Sequence, residues 1–195
     1  KWTRTYMYIE DGPCKNYFAW SCATDGSKNA EGPAPDGEEY FAMALFFAAD
    51  RWGNGTGIFH YADEARAILR ECIHKGEPGH PGEPMWDTSR HLIKFITNCN
   101  FSDPSYHLPH FYELFARWAD EDDREFWRDA AEASRAYLHL ACHPDTGLSA
   151  EYAEYDGTPH EGHQEIFGRH DWYYSDAYRT IANIAMDWLW FGRDP

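Results

Sequence analysis

In the last quarter of the chain, Tyr173-Tyr174-Ser175-Asp176-Ala177-Tyr178-Arg179 sets a carboxylate among aromatic rings, with a guanidinium three residues on. Residues i and i+3 share one face of a helix, so Arg179 is placed to keep the Asp176 carboxylate charged and aimed. A carboxylate held in that way suits a general base in a sugar cleft, where flat aromatic faces receive sugar rings. A plainer reading fits the same residues: Ser175 as a helix N-cap, and Asp176 as a first-turn acid favoured by the helix dipole. The heptapeptide by itself leaves both open.

Histidine offers a second chemistry. Of the 11 in the chain, His107 and His110 stand i, i+3 in an expected helix, and His160, His163 and His170 share a loop with Glu161 and Glu165. A zinc enzyme is the mechanistic rival, yet the loop spacing fits no familiar closed or catalytic site. No metal ligand is assigned, and no cofactor is expected. Cys14, Cys22, Cys72, Cys99 and Cys142 form no CxxC pair and are odd in number. They read as free thiols in a reducing compartment.

Composition narrows the partners. With 33 acidic against 17 basic residues the net charge is −16. That argues against nucleic acid, which needs clustered Lys and Arg, and against an anionic membrane surface. A neutral carbohydrate is compatible, and the 17% aromatic share supplies platforms for one beyond what core filling uses. The longest clean apolar run, Phe41 to Ala49, is far too short to span a bilayer. No signal peptide is visible and a cytoplasmic location is expected, although a chain that opens on Lys1 leaves an upstream leader open.

The elements that must position these residues read as helices. After an irregular, Gly- and Pro-punctuated stretch over 1–35, a helix is expected from Gly37 to about Trp52, with Asp36 and Glu39 as a capping box and Gly53 and Gly55 as the stop. A second runs from Tyr61 to about His74, with Ala65, Ile68, Leu69 and Cys72 on one face. A third opens behind Asp103 and Pro104 and continues through Phe111, Leu114, Phe115 and Trp118. The fourth, Asp122 to about Cys142, is amphipathic, and the fifth runs from Ser175 to about Phe191. No period-2 strand pattern appears, so the class is all-α.

Helices one, three and five each follow an acidic residue (Asp36, Asp103, Asp176), spaced roughly seventy residues apart, and are unusually apolar. Helices two and four are amphipathic. A repeat of one buried and one half-exposed helix describes a toroid of helical hairpins, with the acidic N-terminal ends of the inner helices at one mouth. Two and a half hairpins cannot close a ring, and an open array leaves apolar faces wet. Either a partner completes the ring or residues 1–195 are a fragment of a longer domain, and the fragment is the favoured reading.

Phe18-Ala19-Trp20-Ser21-Cys22, Gly32-Pro33-Ala34-Pro35-Asp36-Gly37-Glu38-Glu39-Tyr40-Phe41, the run Phe101 to Tyr112, Tyr155-Asp156-Gly157-Thr158-Pro159 and Ser175-Asp176-Ala177-Tyr178-Arg179 together resemble glycoside hydrolase family 8. Within it they most resemble the reducing-end xylose-releasing exo-oligoxylanases, in collinear order over nearly the whole chain. The resemblance implies an (α/α)6 barrel and inverting hydrolysis of β-1,4-linked xylo-oligosaccharides. It implies Asp176 as general base, Tyr106 as the residue that helps hold the nucleophilic water, and Arg179 as the partner orienting the base. Asp36 matches a residue that binds and distorts the sugar, and Trp20 an aromatic lining the cleft.

The family's general acid is a Glu in a Thr-Glu-Gly-like motif, and this sequence contains none. Losing a general acid costs ~10²–10⁴ in rate, so the chain by itself is expected to be inactive. Endo-acting glucanase, xylanase or chitosanase chemistry stays open within the family, as does a non-catalytic xylo-oligosaccharide-binding remnant. For Asp103, with Pro104 next, the N-cap is the main reading.

Overall fold

The structure, a computed structural model, describes residues 1–162 and 168–193. Six helices account for most of its regular structure: α1 (Trp2–Tyr6), α2 (Pro35–Trp52), α3 (Tyr61–His74), α4 (Pro109–Trp118), α5 (Arg124–Ala141) and α6 (Tyr178–Phe191). Two strands of two residues each, β1 (Trp86–Asp87) and β2 (Leu92–Ile93), form a short ladder. The all-α expectation holds. Among the described residues no helix is long and apolar enough to cross a membrane, and none of the five cysteines is in a disulfide, with Cys72 buried.

The chain divides into two compact units. The first comprises Lys1–Trp86, Ile96–Asn98 and Trp118–Glu121, and the second Asp87–Phe95, Cys99–Arg117 and Asp122–Pro195.

In the first unit α2 packs on α3. The buried face of α3 is Ala62, Ala65, Ile68, Leu69, Cys72 and Ile73, the i, i+3, i+4, i+7 stripe that drives an amphipathic helix onto its neighbour. Its bounds agree with the sequence expectation. α2 ends at Trp52 as expected but starts earlier: the N-cap is Ala34, no side chain caps it, and Pro35 opens the helix. Proline's fixed φ suits the first helical position, so the start moves upstream and Asp36 sits inside the first turn. The capping-box expectation for Asp36 and Glu39 is thereby corrected; Asp36 acts on the helix through the dipole instead. Gly53, at φ +75°, ends α2, a backbone setting that favours glycine.

The segment before α2 is less irregular than its Gly and Pro content implies. Tyr8 and Phe18 form an antiparallel bridge, and the fully buried Tyr17 places its hydroxyl 2.9 Å from the carbonyls of both Glu71 and Glu83. Buried Lys75 covers the Tyr17 ring at 4.7 Å, pairs with Glu71 at 2.8 Å and donates to the Lys15 carbonyl at 2.6 Å. The Phe18 N–H donates at 2.7 Å to Glu38 of α2.

In the second unit Arg135 joins three helices. From α5 it makes two bonds of 2.8 Å to Asp187 of α6, reaches Glu113 of α4 at 3.0 Å and also holds Glu132 at 3.0 Å. Tyr112, Phe115 and Trp127 fill the core between α4 and α5, with ring centroids 5.1 Å apart for the closest pair.

Two helix starts in this unit depart from expectation. The third expected helix is broken: Asp103 caps a 3₁₀ turn, Pro104–Tyr106, and α4 begins at Pro109. Pro109 lacks the N–H that would continue the ladder, and it disfavours helical backbone at Leu108. The fifth begins with a 3₁₀ turn, Ser175–Ala177, behind Tyr174, and α6 proper starts at Tyr178. Ser175 is not a side-chain cap; it has φ +45°, a left-handed setting that is uncommon outside glycine.

α6 buries a polar side. Its buried residues are Thr180, Asn183 and Asp187, while Tyr178, Ile181, Trp188 and Leu189 are exposed. A wet apolar side is what an open array of hairpins leaves.

Candidate active site

Asp176 sits on the 3₁₀ turn that leads into α6, and Arg179 reaches back one turn to it, Nη2 to Oδ2 at 2.7 Å. The Asp176 side chain is half exposed, at 49%, and that of Arg179 is 27% exposed. The carboxylate is thus tied to a cation while much of its surface stays open to water. The Arg179 guanidinium also lies 5.6 Å from the centre of the Tyr106 ring, a cation–π distance. Arg179 thus contacts both Asp176 and Tyr106.

The turn that presents Asp176 is built from the preceding loop. Glu151 N–H donates to the Trp172 carbonyl and Tyr152 N–H to that of His170, each at 2.9 Å. Buried Glu151 and His170 are hydrogen-bonded through Oε2 and Nδ1, and the Tyr152 ring stacks on His170 at 4.1 Å. These contacts fix the residues from which Tyr173 to Asp176 emerge.

Tyr106 is buried, and its turn is held from several sides. The Asp103 carboxylate accepts from Ser105 N–H at 2.7 Å, so the N-cap reading of Asp103 is correct. Tyr112 Oη donates to the Tyr106 carbonyl at 3.2 Å, and Asn183 of α6 donates to the Ser105 carbonyl at 2.8 Å. His107 follows, fully buried. Its Nε2 lies 2.9 Å from Ser102 Oγ and its Nδ1 2.8 Å from Ser134 Oγ. Ser102 commits its hydrogen to the Ile93 carbonyl at 2.7 Å, so it must accept from Nε2–H, and Ser134 donates to Nδ1. The imidazole is neutral and locked in one tautomer; burial lowers its pKa to about 3.

Asp36 and Trp20 belong to the first unit. Asp36 is partly buried in the first turn of α2. Trp20 is 65% exposed and stands on the wall of an open groove of about 1040 Å³ that also meets Tyr8, Glu10, Lys28, Glu31 and Asn98. The indole thus presents an open, flat apolar face to a groove of mixed polarity. Glu38 ties the backbone two residues before Trp20 to the helix that carries Asp36. Its carboxyl is fully buried, and desolvation pushes its pKa up to about 8, with the Phe18 N–H opposing.

The described histidines that suggested a metal site have the following neighbours. His107 precedes α4 and His110 lies within it, where its ring meets Trp190 at 5.1 Å. They do not share one helix face. His160 stacks on Phe101 at 3.8 Å and pairs with Glu154 at 2.5 Å. Among the described residues no group of three or more His, Cys, Asp or Glu could hold a metal ion; His163 and Glu165 lie outside the described residues.

Sequence reasoning missed Asn183, Arg135, Glu38 and the His107 strut. The signal for Asn183 was present: Thr180, Asn183 and Asp187 interrupt an apolar helix at i, i+3 and i+7, the mark of a buried polar stripe.

The family model for glycosyl hydrolases family 8 matches residues 1–195. The reducing-end xylose-releasing exo-oligoxylanase Rex8A of Paenibacillus barcinonensis is 60% identical over 191 residues, covering 98% of this chain and 50% of the relative. The reducing end xylose-releasing exo-oligoxylanase of Halalkalibacterium halodurans is 58% identical over 192 residues, covering 98% and 48%. The solved structure of Rex8A complexed with xylose superimposes with a TM-score of 0.93 at 59% identity, covering all of this chain and 51% of the other. The chain spans about half the length of the curated relatives it matches. Its fold class is accordingly all-α, part of an (α/α)6 barrel.

Proposed function

The chain belongs to glycosyl hydrolases family 8, and from that premise we propose that it is the central portion of an inverting glycosidase that releases xylose from the reducing end of β-1,4-xylo-oligosaccharides. The observation that carries the reading is the grouping of Asp176, Arg179 and Tyr106 in one unit. Identity of 60% to an exo-oligoxylanase supports the choice of substrate.

An inverting glycosidase sets two carboxyl groups ~6.5–9.5 Å apart, one protonating the leaving oxygen and one ionised to activate water on the opposite face of the sugar. Asp176 is the base: its carboxylate takes a proton from the attacking water. Arg179 keeps that carboxylate oriented, and Tyr106 helps hold the water beside it. Asp36 and Trp20 bind the sugar, the first through its hydroxyls and the second by stacking. The partner is a xylo-oligosaccharide, with no nucleic acid and no membrane involved.

The general acid is not among these residues, because the sequence holds no Thr-Glu-Gly-like motif. The 195 residues therefore cleave an unactivated xylo-oligosaccharide poorly or not at all, whereas a substrate whose leaving group needs no proton bypasses the missing step. β-Xylobiosyl fluoride is such a substrate. The chain should hydrolyse it with inversion and leave xylotriose intact, and Asp176→Asn should slow fluoride release by ~10²–10⁴. Undiminished fluoride release by the Asn variant would remove Asp176 from the role of base. Cleavage of xylotriose by the unaltered chain would show that an acid is present after all.

A further inference from the structure

The polar face that α6 buries touches a different partner at each step. Thr180 meets Ser149 at 3.1 Å between hydroxyls, Asp187 takes both arms of Arg135 at 2.8 Å, and Asn183, between them, donates to the Ser105 carbonyl at 2.8 Å. Apolar surfaces in contact tolerate small slides and rotations, whereas a hydrogen bond weakens steeply with distance and angle. The rotation and height of α6 are therefore fixed by these three contacts.

Asn183 has a particular place among them. Ser105 immediately precedes Tyr106, and Arg179 lies one turn before Asn183 on the same helix, with its guanidinium over the Tyr106 ring. Tyr112 ties the Tyr106 turn to α4, and His107 ties its far end to α5 through Ser134. Asn183 ties it to α6. We infer that Asn183 is a positioning residue: its amide sets the spacing between Tyr106 and the Asp176–Arg179 pair, and so the place of the water between them. The catalytic consequence rests on the reading of Asp176 as base; the link between Asn183 and Tyr106 does not.

The bond requires a donor. An apolar residue at 183 leaves the Ser105 carbonyl buried without its partner, and the turn relaxes away from α6. A carboxylate has nearly the shape of the amide but presents only acceptors when ionised. Asn183→Asp thus deletes the donor with little change in volume, and acidification restores one when the carboxyl takes up its proton.

The test uses tyrosine labelled with ¹³C at Cζ, with the Tyr106 signal assigned by its loss in Tyr106→Phe. In Asn183→Ala and Asn183→Asp the Tyr106 signal should move while that of Tyr17, in the other unit, stays in place. In the Asp variant it should return towards the parental position on acidification, a recovery that a packing defect would not give. β-Xylobiosyl fluoride turnover should fall in both variants by up to about 100-fold in kcat, with KM little changed, as expected for a reacting group displaced by about 1 Å. A Tyr106 signal that keeps its parental position in a folded variant overturns the inference, and so does a displaced signal with undiminished turnover. Should Asn183→Ala fail to fold, the near-isosteric Asp variant decides. Should the unaltered chain release no fluoride, the base assignment fails, and the role of Asn183 is judged on the Tyr106 signal alone.

Discussion

Replacing Glu38 by Gln tests the electrostatics of the α2 end directly. The Glu38 carboxyl is fully buried with one oxygen on the Phe18 N–H, and its pKa rises from 4.5 to about 8 in the fold. Between those values the native chain holds a proton that the unfolded chain has released. Stability from this group is complete below pH 4.5 and declines as pH rises to about 8, at roughly 1.4 kcal/mol per pH unit. Over the whole interval the loss is on the order of 5 kcal/mol. Gln keeps the acceptor for Phe18 and has no proton to lose, so the variant should gain on the parent as pH rises. With urea m-values of about 1–3 kcal/mol per molar, the gap between the two unfolding midpoints should widen by roughly 0.5–1.4 M per pH unit. The comparison must be between variants, because His107 and His110, with pKa values lowered by burial to about 3 and about 4, impose the opposite slope on both. A midpoint gap that stays constant from pH 5 to pH 8 would refute the reasoning.

Arg135→Met should destabilise the chain by about 3–5 kcal/mol in urea unfolding, because it leaves buried Asp187 without its cation. The double variant Arg135→Met with Asp187→Leu should recover most of that, and failure to recover would show that the pair contributes more than mutual compensation. Gly157 has φ +88°, and a Cβ there would stand 2.4 Å from the Leu140 carbonyl carbon. Gly157→Ala should cost at least ~1–3 kcal/mol from backbone strain, seen as a melting point lowered by several degrees; an unchanged melt would contradict the packing. His107 should give the two ¹⁵N signals of a neutral Nε2–H imidazole down to pH about 3. Its contribution to stability is present above about pH 6.5 and lost as pH falls, since the unfolded chain then binds a proton the native chain refuses. A midpoint near 6.5 in the folded protein would exclude the buried strut.

How much of this was legible beforehand depends on sequence distance. The α3 stripe is local, and its period placed both ends of the helix. The Asp176–Arg179 pair is local too, and the i, i+3 rule found it. Tyr106 lies far from Arg179 along the chain, and nothing in its own surroundings marks it out; it was reached only through the family resemblance. The starts of α2 and α4 differ from expectation for a single reason, that Pro35 and Pro109 set where α-helical backbone begins. The start of α6 was obscured by the left-handed Ser175, which no propensity foretells. The buried polar side of α6 is hard to read in advance because apolar residues outnumber Thr180, Asn183 and Asp187 in the helix.

The wet apolar side of α6 has a practical consequence for anyone handling the 195 residues. With Ile181 at 62%, Leu189 at 66% and Trp188 at 53% exposure along one helix, the molecule carries a greasy ridge against a background charge of −16. Mutual repulsion keeps copies apart in dilute buffer, and salt screens that repulsion within about 10 Å at 0.1 M. Concentrated salt should therefore drive copies together through the ridge, and a phenyl resin should retain them. A dye that brightens in oily surroundings should light up on the native fold.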